Sequence, residues 1–433
     1  MLLHCLTAIL QEVVPPAELA RLRAHVEVMY QRFYDQIWTN DAVKGQTPDS
    51  ENPRVQFERV ISPDESYIFD FICGASTQGV SHQMLAGDDP NVQTVPVETA
   101  MLTNPRHNYG PWKWHRDVIP SMTGPLMGTV AGFMENRPGY IQWNIPLYDD
   151  DTLWVCPGSH KRPATEAEDA DMEAKAQLSA RFDGRDPSHT HSGPIGDAVP
   201  VRLRAGDGVV YFQSILHWGS DYTDQKGLRR TLHFGYRSFA NGFWPQIQMP
   251  TWDSDIVPRL SQRLAPQFEH WLSLLEEERQ VVKAALLAVG ARDRSAFLGA
   301  LGKLNSNPAT ELMALALLRV HASGGGTIHR PMRPLEGQPD EVLAAVESGF
   351  VALDRALQHE GGEAVLRHGY LTSPIPHKYE YNDLPPNWSV ETFCDSWDSN
   401  PGQRLDAPKG FGAPPKKPRW DPIKGVVNAS PRL

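Results

Sequence analysis

Apolar positions along the chain follow three successive regimes. From residue 18 to 37, Leu22, Val26, Met29, Phe33 and Ile37 recur every three or four residues. That is the period of one helix face, so a helix is predicted from Glu18 to Ile37. Leu2 to Val13 reads as a shorter helical segment before it, stopped by Pro15 and Pro16. From about 97 to 240 the pattern shortens to apolar or alternating runs split by Gly, Pro and Asp: TAMLT (99–103), GYIQWNIPL (139–147), TLWVCP (152–157), AVPVRL (198–203), GVVYFQSIL (208–216) and LRRTLHFGY (228–236). Such runs predict an antiparallel sandwich or barrel. Residues 160–197 interrupt it with a charged, polar insertion whose Ala164–Arg181 stretch has helical composition. It is too long for a plain turn and reads equally as a lid over the barrel mouth or as a solvated surface excursion.

Beyond residue 255 the strand signals fade. Leu/Ala/Glu-rich segments at 258–289, 293–302, 308–321 and 340–358 predict a helical region, broken at Gly324–Gly326. The remaining residues, rich in Pro, Trp and polar groups, predict a tail that wraps the surface or is partly disordered. The division that follows is 1–255 for a β domain with N-terminal helices, 256–368 for the helical region and 369–433 for the tail. The fold class is mainly β with α additions.

Composition narrows the function. The chain has 433 residues, 21% of them charged and 40% hydrophobic, as in a globular enzyme. A net charge of −11 argues against non-specific nucleic-acid binding, which needs a basic surface, and leaves room for a local basic pocket for an acidic substrate. Cys5, Cys73, Cys156 and Cys394 are far apart and form no CxxC pair. Neither a zinc knuckle nor a disulfide framework is indicated, and a reducing, cytoplasmic location is expected. The opening MLLHCLTAIL has no basic flank, no apolar run reaches membrane-spanning length, and no peroxisomal address ends the chain, so neither export nor a membrane partner is expected. A homo-oligomer built through the helical region is one option.

Three pieces carry chemistry. In PWKWHRDVIP, His115 and Asp117 are two apart, so on a strand they share a face and could hold one ion; a surface His and Asp on an edge strand is the alternative. In VVYFQSILHWGSD, a strand read as ending at His217 places an imidazole after an apolar run. Such a ring needs a partner, either a metal or a backbone carbonyl. In KGLRRTLHFGY, Arg229 lies twelve residues after His217, where a turn at Gly227 could return it beside the site; an exposed Arg pair is the alternative. Two His and one carboxylate make the facial triad of non-haem Fe(II) oxygenases, with positions left open for co-substrates. An Arg matches the far carboxylate of a dicarboxylate. Other candidates fit less well. His25 and Glu27 sit in the predicted helix, where residues two apart do not share a face. His189 and His191 belong to the polar insertion, and Lys416, Lys417 and Arg419 to the Pro-rich tail.

In this order, WHRD, NIPLYDDDTLWVCPGSHKRP, GDGVVYFQSILHWGS and GLRRTLHFGY resemble the phytanoyl-CoA dioxygenase family of Fe(II)/2-oxoglutarate oxygenases, over roughly residues 95 to 240. The resemblance implies a double-stranded β-helix, a jelly-roll or cupin-like barrel. It implies Fe(II), 2-oxoglutarate and O2, with His115, Asp117 and His217 as catalytic iron ligands and Arg229 as the 2-oxoglutarate anchor. Trp143 matches a tryptophan near the co-substrate, with a core aromatic as the alternative. Gly158, Ser159 and His160 match an architectural turn. Segment 220–226 lacks the Asn and Ser the family often has before its Arg, so Arg230 stays open as the anchor. The implied reaction is hydroxylation, or another oxidation of a C–H bond in a small-molecule substrate, with release of succinate and CO2. An intact Asp117 argues against a halogenase. The alternatives are a non-catalytic barrel with a vestigial site and a cupin-like metalloenzyme that needs no 2-oxoglutarate.

Overall fold

The structure, a computed structural model, describes residues 7–38, 54–62, 65–104, 114, 139–161, 165, 167–168, 171, 194–212, 215–219, 227–239, 249–304, 308–322, 332–356, 367–368, 379–380 and 389–398. The short β runs assemble into two antiparallel sheets with helices added. The larger sheet comprises β1 (Thr7–Leu10), β2 (Arg54–Gln56), β3 (Thr94–Thr103), β4 (Tyr140–Pro146), β7 (Gly208–Tyr211) and β9 (Arg230–Ser238), in the order β1-β7-β4-β9-β3-β2. The smaller comprises β5 (Leu153–Val155), β6 (Val199–Pro200) and β8 (His217–Gly219), in the order β6-β5-β8. A further strand pair, β10 (Arg367–His368) and β11 (Tyr379–Glu380), stands apart from both.

Register decides which side chains share a face, because residues directly opposite on antiparallel strands point the same way. Trp143 lies opposite both Val210 and Phe234, and Ile145 opposite Leu232. This apolar face packs on α1 (Pro16–Arg32), α2 (Tyr67–Ile72) and α3 (Val80–Ala86): the Tyr236 hydroxyl donates to the Ile72 carbonyl, and Phe71 meets Phe234. The alternate residues form the second face: Asn144 lies opposite Val209 and His233, and Gln142 opposite Tyr211 and Gly235. There Leu153, Val155, Val201, Leu203, Val209, Tyr211 and Ile215 make a buried cluster between the two sheets. Each such apolar side chain contributes roughly 1.5–3 kcal/mol by leaving water.

Two glycines are required by close approach. Gly206 has φ +91°, and a Cβ on it would meet the Val14 carbonyl at 2.7 Å. A Cβ on Gly235 would meet the Tyr140 hydroxyl at 2.0 Å, since that ring crosses the strand there.

The structure corrects three expectations. Thr7–Leu10 is a strand, not part of a helix: it pairs antiparallel with β7, and this tertiary pairing overrides the local pattern. GVVYFQSIL is not one strand ending at His217. β7 stops at Tyr211, the chain changes sheets, and His217 opens β8. The tail contains a packed helix, α9 (Val390–Asp398), whose Phe393 and Trp397 are buried against Phe297 and Phe350. Its Trp397 indole donates to the Gly349 carbonyl at 3.1 Å.

The helical region supplies α4 (Ala265–Ala291), α5 (Arg294–Leu304), α6 (Pro308–Ala322), α7 (Asp340–Gly349) and α8 (Val351–Ala356). One apolar cluster runs from the sheet into these helices. An ion pair of 2.6 Å, fully buried on both sides, ties Arg237 of β9 to Glu278 of α4. Most of the 160–197 insertion, and with it the lid expectation, lies outside the described residues. Among the described residues, no helix is long and apolar enough to cross a membrane.

Candidate active site

His217 is placed by the point where the chain changes sheets. It opens β8 opposite Val155 of β5, so its ring shares the inner face with Val155 and lies 5.4 Å from the Tyr211 ring. The PGSH turn supports this position directly. Ser159 Oγ accepts the Leu216 N–H at 2.8 Å, and the Cys156 N–H donates to the Leu216 carbonyl at 2.9 Å. The backbone just before His217 is thus held from two sides. His217 Nδ1 is 3.0 Å from the Ile215 carbonyl. A carbonyl only accepts, so Nδ1 carries a proton, and Nε2 is the ring nitrogen that would bind a metal. Metal-ligating imidazoles are fixed in this way, so the buried His217 fits a metal ligand.

His115 and Asp117 lie outside the described residues. Trp114, the residue before His115, is described: it is buried and stacked on Trp218, the residue after His217, with ring centroids 5.6 Å apart. Among the described residues no three His, Cys, Asp or Glu side chains gather as a metal site.

Arg229 and Arg230 point to opposite faces. Arg230 turns to α1, where Nε and Nη2 donate to the two Glu27 carboxylate oxygens and the guanidinium lies 4.0 Å over the Tyr30 ring. Arg229 lies on the side of Thr231 and is buried. Its Nε donates to Asp150 Oδ2 at 2.9 Å, and the Thr231 hydroxyl donates to the same oxygen. Thr152 supplies the other oxygen with its backbone N–H at 2.8 Å and its hydroxyl at 2.7 Å. Burial alone would raise the Asp150 carboxyl. The Arg229 charge and the threonine hydrogen bonds outweigh it and hold the group at about 2. Asn104, just after β3, clamps the strand start: its Oδ1 accepts the Arg229 N–H at 2.6 Å and its Nδ2 donates to the Gly227 carbonyl at 2.9 Å.

A buried polar row that the motifs did not single out lies farther along the same face. His233 Nδ1 is 2.6 Å from Asn144 Oδ1, and its Nε2 is 3.4 Å from Glu98 Oε2. Arg54 pairs with Glu98 from the edge strand. Gln142, one position along β4, is 2% exposed, and its Oε1 has no hydrogen-bond partner among the described residues. A buried carbonyl oxygen is costly without a partner, so Gln142 Oε1 is an acceptor that a water or a polar ligand could satisfy. The signal in the sequence was the polar alternation of Gln142 and Asn144 in YIQWNIP and of Thr231 and His233 in RTLHFGY.

Trp143 is on the other face. Its indole N–H donates to Ser81 Oγ of α3 at 2.9 Å, and it is fully buried in the apolar core. Its contacts are those of a core aromatic, with the sheet between it and the Arg229–His233 row.

No protein-family profile matches the chain, and no curated protein sequence matches it. Solved structures overlap with it only loosely. AviO1 from Streptomyces viridochromogenes is 22% identical over 54% of this chain and 90% of its own, with a TM-score of 0.34. HygX from Streptomyces hygroscopicus, with nickel and 2-oxoglutarate bound, is 14% identical over 54% and 83%, at 0.33. EctD from S. alaskensis, with 2-oxoglutarate and 5-hydroxyectoine, is 15% identical over 54% and 72%, at 0.35. TM-scores of 0.33 to 0.35 carry neither fold nor function over to this chain.

Proposed function

We propose that the chain is an Fe(II)- and 2-oxoglutarate-dependent dioxygenase of the phytanoyl-CoA dioxygenase type, built on a double-stranded β-helix, that oxidises a C–H bond of a small organic substrate. The observation that carries this reading is the Trp114–Trp218 stack. These tryptophans immediately flank His115 and His217 in sequence, and consecutive Cα atoms are only about 3.8 Å apart. A contact between them supports placing the two histidines in one site.

In this reading His115, Asp117 and His217 hold the metal, and Arg229 receives the far carboxylate of 2-oxoglutarate. Bound Fe(II) with 2-oxoglutarate and O2 supplies the two-electron oxidation, with succinate and CO2 as by-products. The chain's own residues bind and shield. The Nδ1–H of His217 rests on the Ile215 carbonyl, which fixes the ring and presents Nε2. Val155, Val209 and Tyr211 form an apolar wall that excludes water from the same face. Glu98, Gln142 and His233 offer the substrate polar contacts along β3, β4 and β9. A buried guanidinium, and a buried histidine whose Nδ1–H is held by a backbone carbonyl, favour this reading over a non-catalytic barrel.

The test is Asp117→Ala, which removes the only anionic ligand. After anaerobic iron loading, the variant should lose bound iron and succinate formation while its circular dichroism and melting temperature stay near wild type. Full iron affinity and turnover in the variant would overturn the assignment.

A further inference from the structure

Asp150 sits where an incoming carboxylate would compete for, or profit from, the same donors. Its Oδ2 accepts from Arg229 Nε at 2.9 Å and from the Thr231 hydroxyl; its Oδ1 accepts from the Thr152 N–H at 2.8 Å and the Thr152 hydroxyl at 2.7 Å. Both members of the ion pair are buried, with side chains 7% and 8% exposed. Two roles are open to such a group. It could be a plug, an internal carboxylate that 2-oxoglutarate must displace, or a strut that fixes the anchor in advance.

The contacts favour the strut. A plug must leave, but Asp150 is held by its own chain. Thr152 grips Oδ1 in a local Asx turn, and the Asp150 backbone bridges Leu203 through two 3.0 Å hydrogen bonds. Leaving would strip four hydrogen bonds from a buried charge. Asp150 also uses only the Nε donor of a guanidinium that carries five, and a fork of this kind meets a second carboxylate through its Nη1–Nη2 edge. With Nε pinned, that edge has one orientation. Asn104, holding the Arg229 N–H, fixes the backbone end of the same side chain.

We propose that Asp150 is the positioning residue of the co-substrate anchor: it locks the Nε edge of Arg229 and the hydroxyl of Thr231, so that the donor set for the far carboxylate of 2-oxoglutarate is ordered before that ligand arrives. The proposal rests on the oxygenase reading above. It assigns a role to the second acidic residue of the YDDD run.

The test is Asp150→Asn, which keeps shape but exchanges one acceptor oxygen for a donor. Binding of 2-oxoglutarate to the iron-loaded protein is measured by anaerobic calorimetry, alongside iron affinity and melting temperature. The dissociation constant for 2-oxoglutarate should rise by about tenfold or more, the worth of one charge-assisted contact, with iron affinity unchanged. In turnover, KM for 2-oxoglutarate should rise while kcat at saturation holds. Thr152→Val keeps the ion pair and removes one supporting bond. It should shift the same constant in the same direction by less, which keeps the proposal testable if Asp150→Asn fails to fold. Tighter 2-oxoglutarate binding by Asp150→Asn would make the residue a plug and overturn the proposal. So would a lower melting temperature with unchanged affinity, which marks a structural role only. Wild-type protein that binds no 2-oxoglutarate overturns the oxygenase reading itself, a result distinct from either.

Discussion

Replacing Arg229 with Met would leave the Asp150 carboxylate buried with its threonine hydrogen bonds but without its cation. The cost can be worked from the structure. Against burial, which raises it, the Arg229 charge and the threonine hydrogen bonds together lower the carboxyl from 3.8 to about 2. At about 1.4 kcal/mol for each tenfold change, this is worth roughly 2.5 kcal/mol of stability near neutral pH. The loss on mutation is larger, because the burial penalty that Arg229 offsets then stands uncovered; about 3–5 kcal/mol is usual for a buried pair broken on one side. The pH dependence gives the sharper test. A depressed carboxyl contributes its stability above 3.8 and loses it as pH falls through about 2. Without Arg229, burial raises the same carboxyl, and protonation then relieves the variant. The stability gap between wild type and Arg229→Met should therefore be widest at neutral pH and narrow as pH falls from 5 towards 3, which urea unfolding at several pH values measures. Arg230→Met is the control. Its Glu27 partner is 41% exposed, so the pair and the Tyr30 contact together amount to roughly 1–2 kcal/mol. A constant gap for Arg229→Met over this pH range, or a loss no greater than that of Arg230→Met, would refute the reasoning.

Burial, with help from the Glu98 charge, raises Glu58 from 4.5 to about 7 against the hydrogen bond from Thr99. The folded protein therefore holds that proton longer than the unfolded chain and loses stability as pH rises from 4.5 through 7; Glu58→Gln should flatten this slope, gaining roughly 2–3 kcal/mol on wild type between pH 5 and pH 8 in denaturant titrations. Ser159→Ala removes the acceptor of the buried Leu216 N–H, and should cost roughly 1–3 kcal/mol in unfolding and weaken iron binding through the adjacent His217, as metal titration would record. An unchanged iron affinity would separate the PGSH turn from the metal site.

Local periodicity carried much of this architecture. The runs at 99–103, 139–147, 152–157 and 228–236 all contain strands, because alternation is a property of neighbouring residues. The helices at 265–291, 294–304 and 308–322 were legible for the same reason. So was the tail helix, in principle: Val390, Phe393, Cys394 and Trp397 fall at i, i+3, i+4 and i+7, all buried. Its Pro- and Trp-rich surroundings hid that pattern from a compositional reading. The strand at Thr7–Leu10 was not legible, since what makes it a strand is a partner about two hundred residues away in β7.

The candidate site divides along the same line. Residue chemistry and motif order singled out His217 and Arg229 from the sequence alone, and the period of two separated Arg229 from Arg230 in principle. Tertiary structure decided what each of them touches. Asp150, Thr231 and Arg229 come together only because β9 and the segment after β4 meet across a register set by the whole sheet. Trp143 and Asn144 are neighbours in the chain, yet one joins the helix-packed core and the other the polar row. Alternation requires them to part, but it does not say which face will be covered by helices. That choice follows from burial summed over the entire fold, a quantity no local window contains.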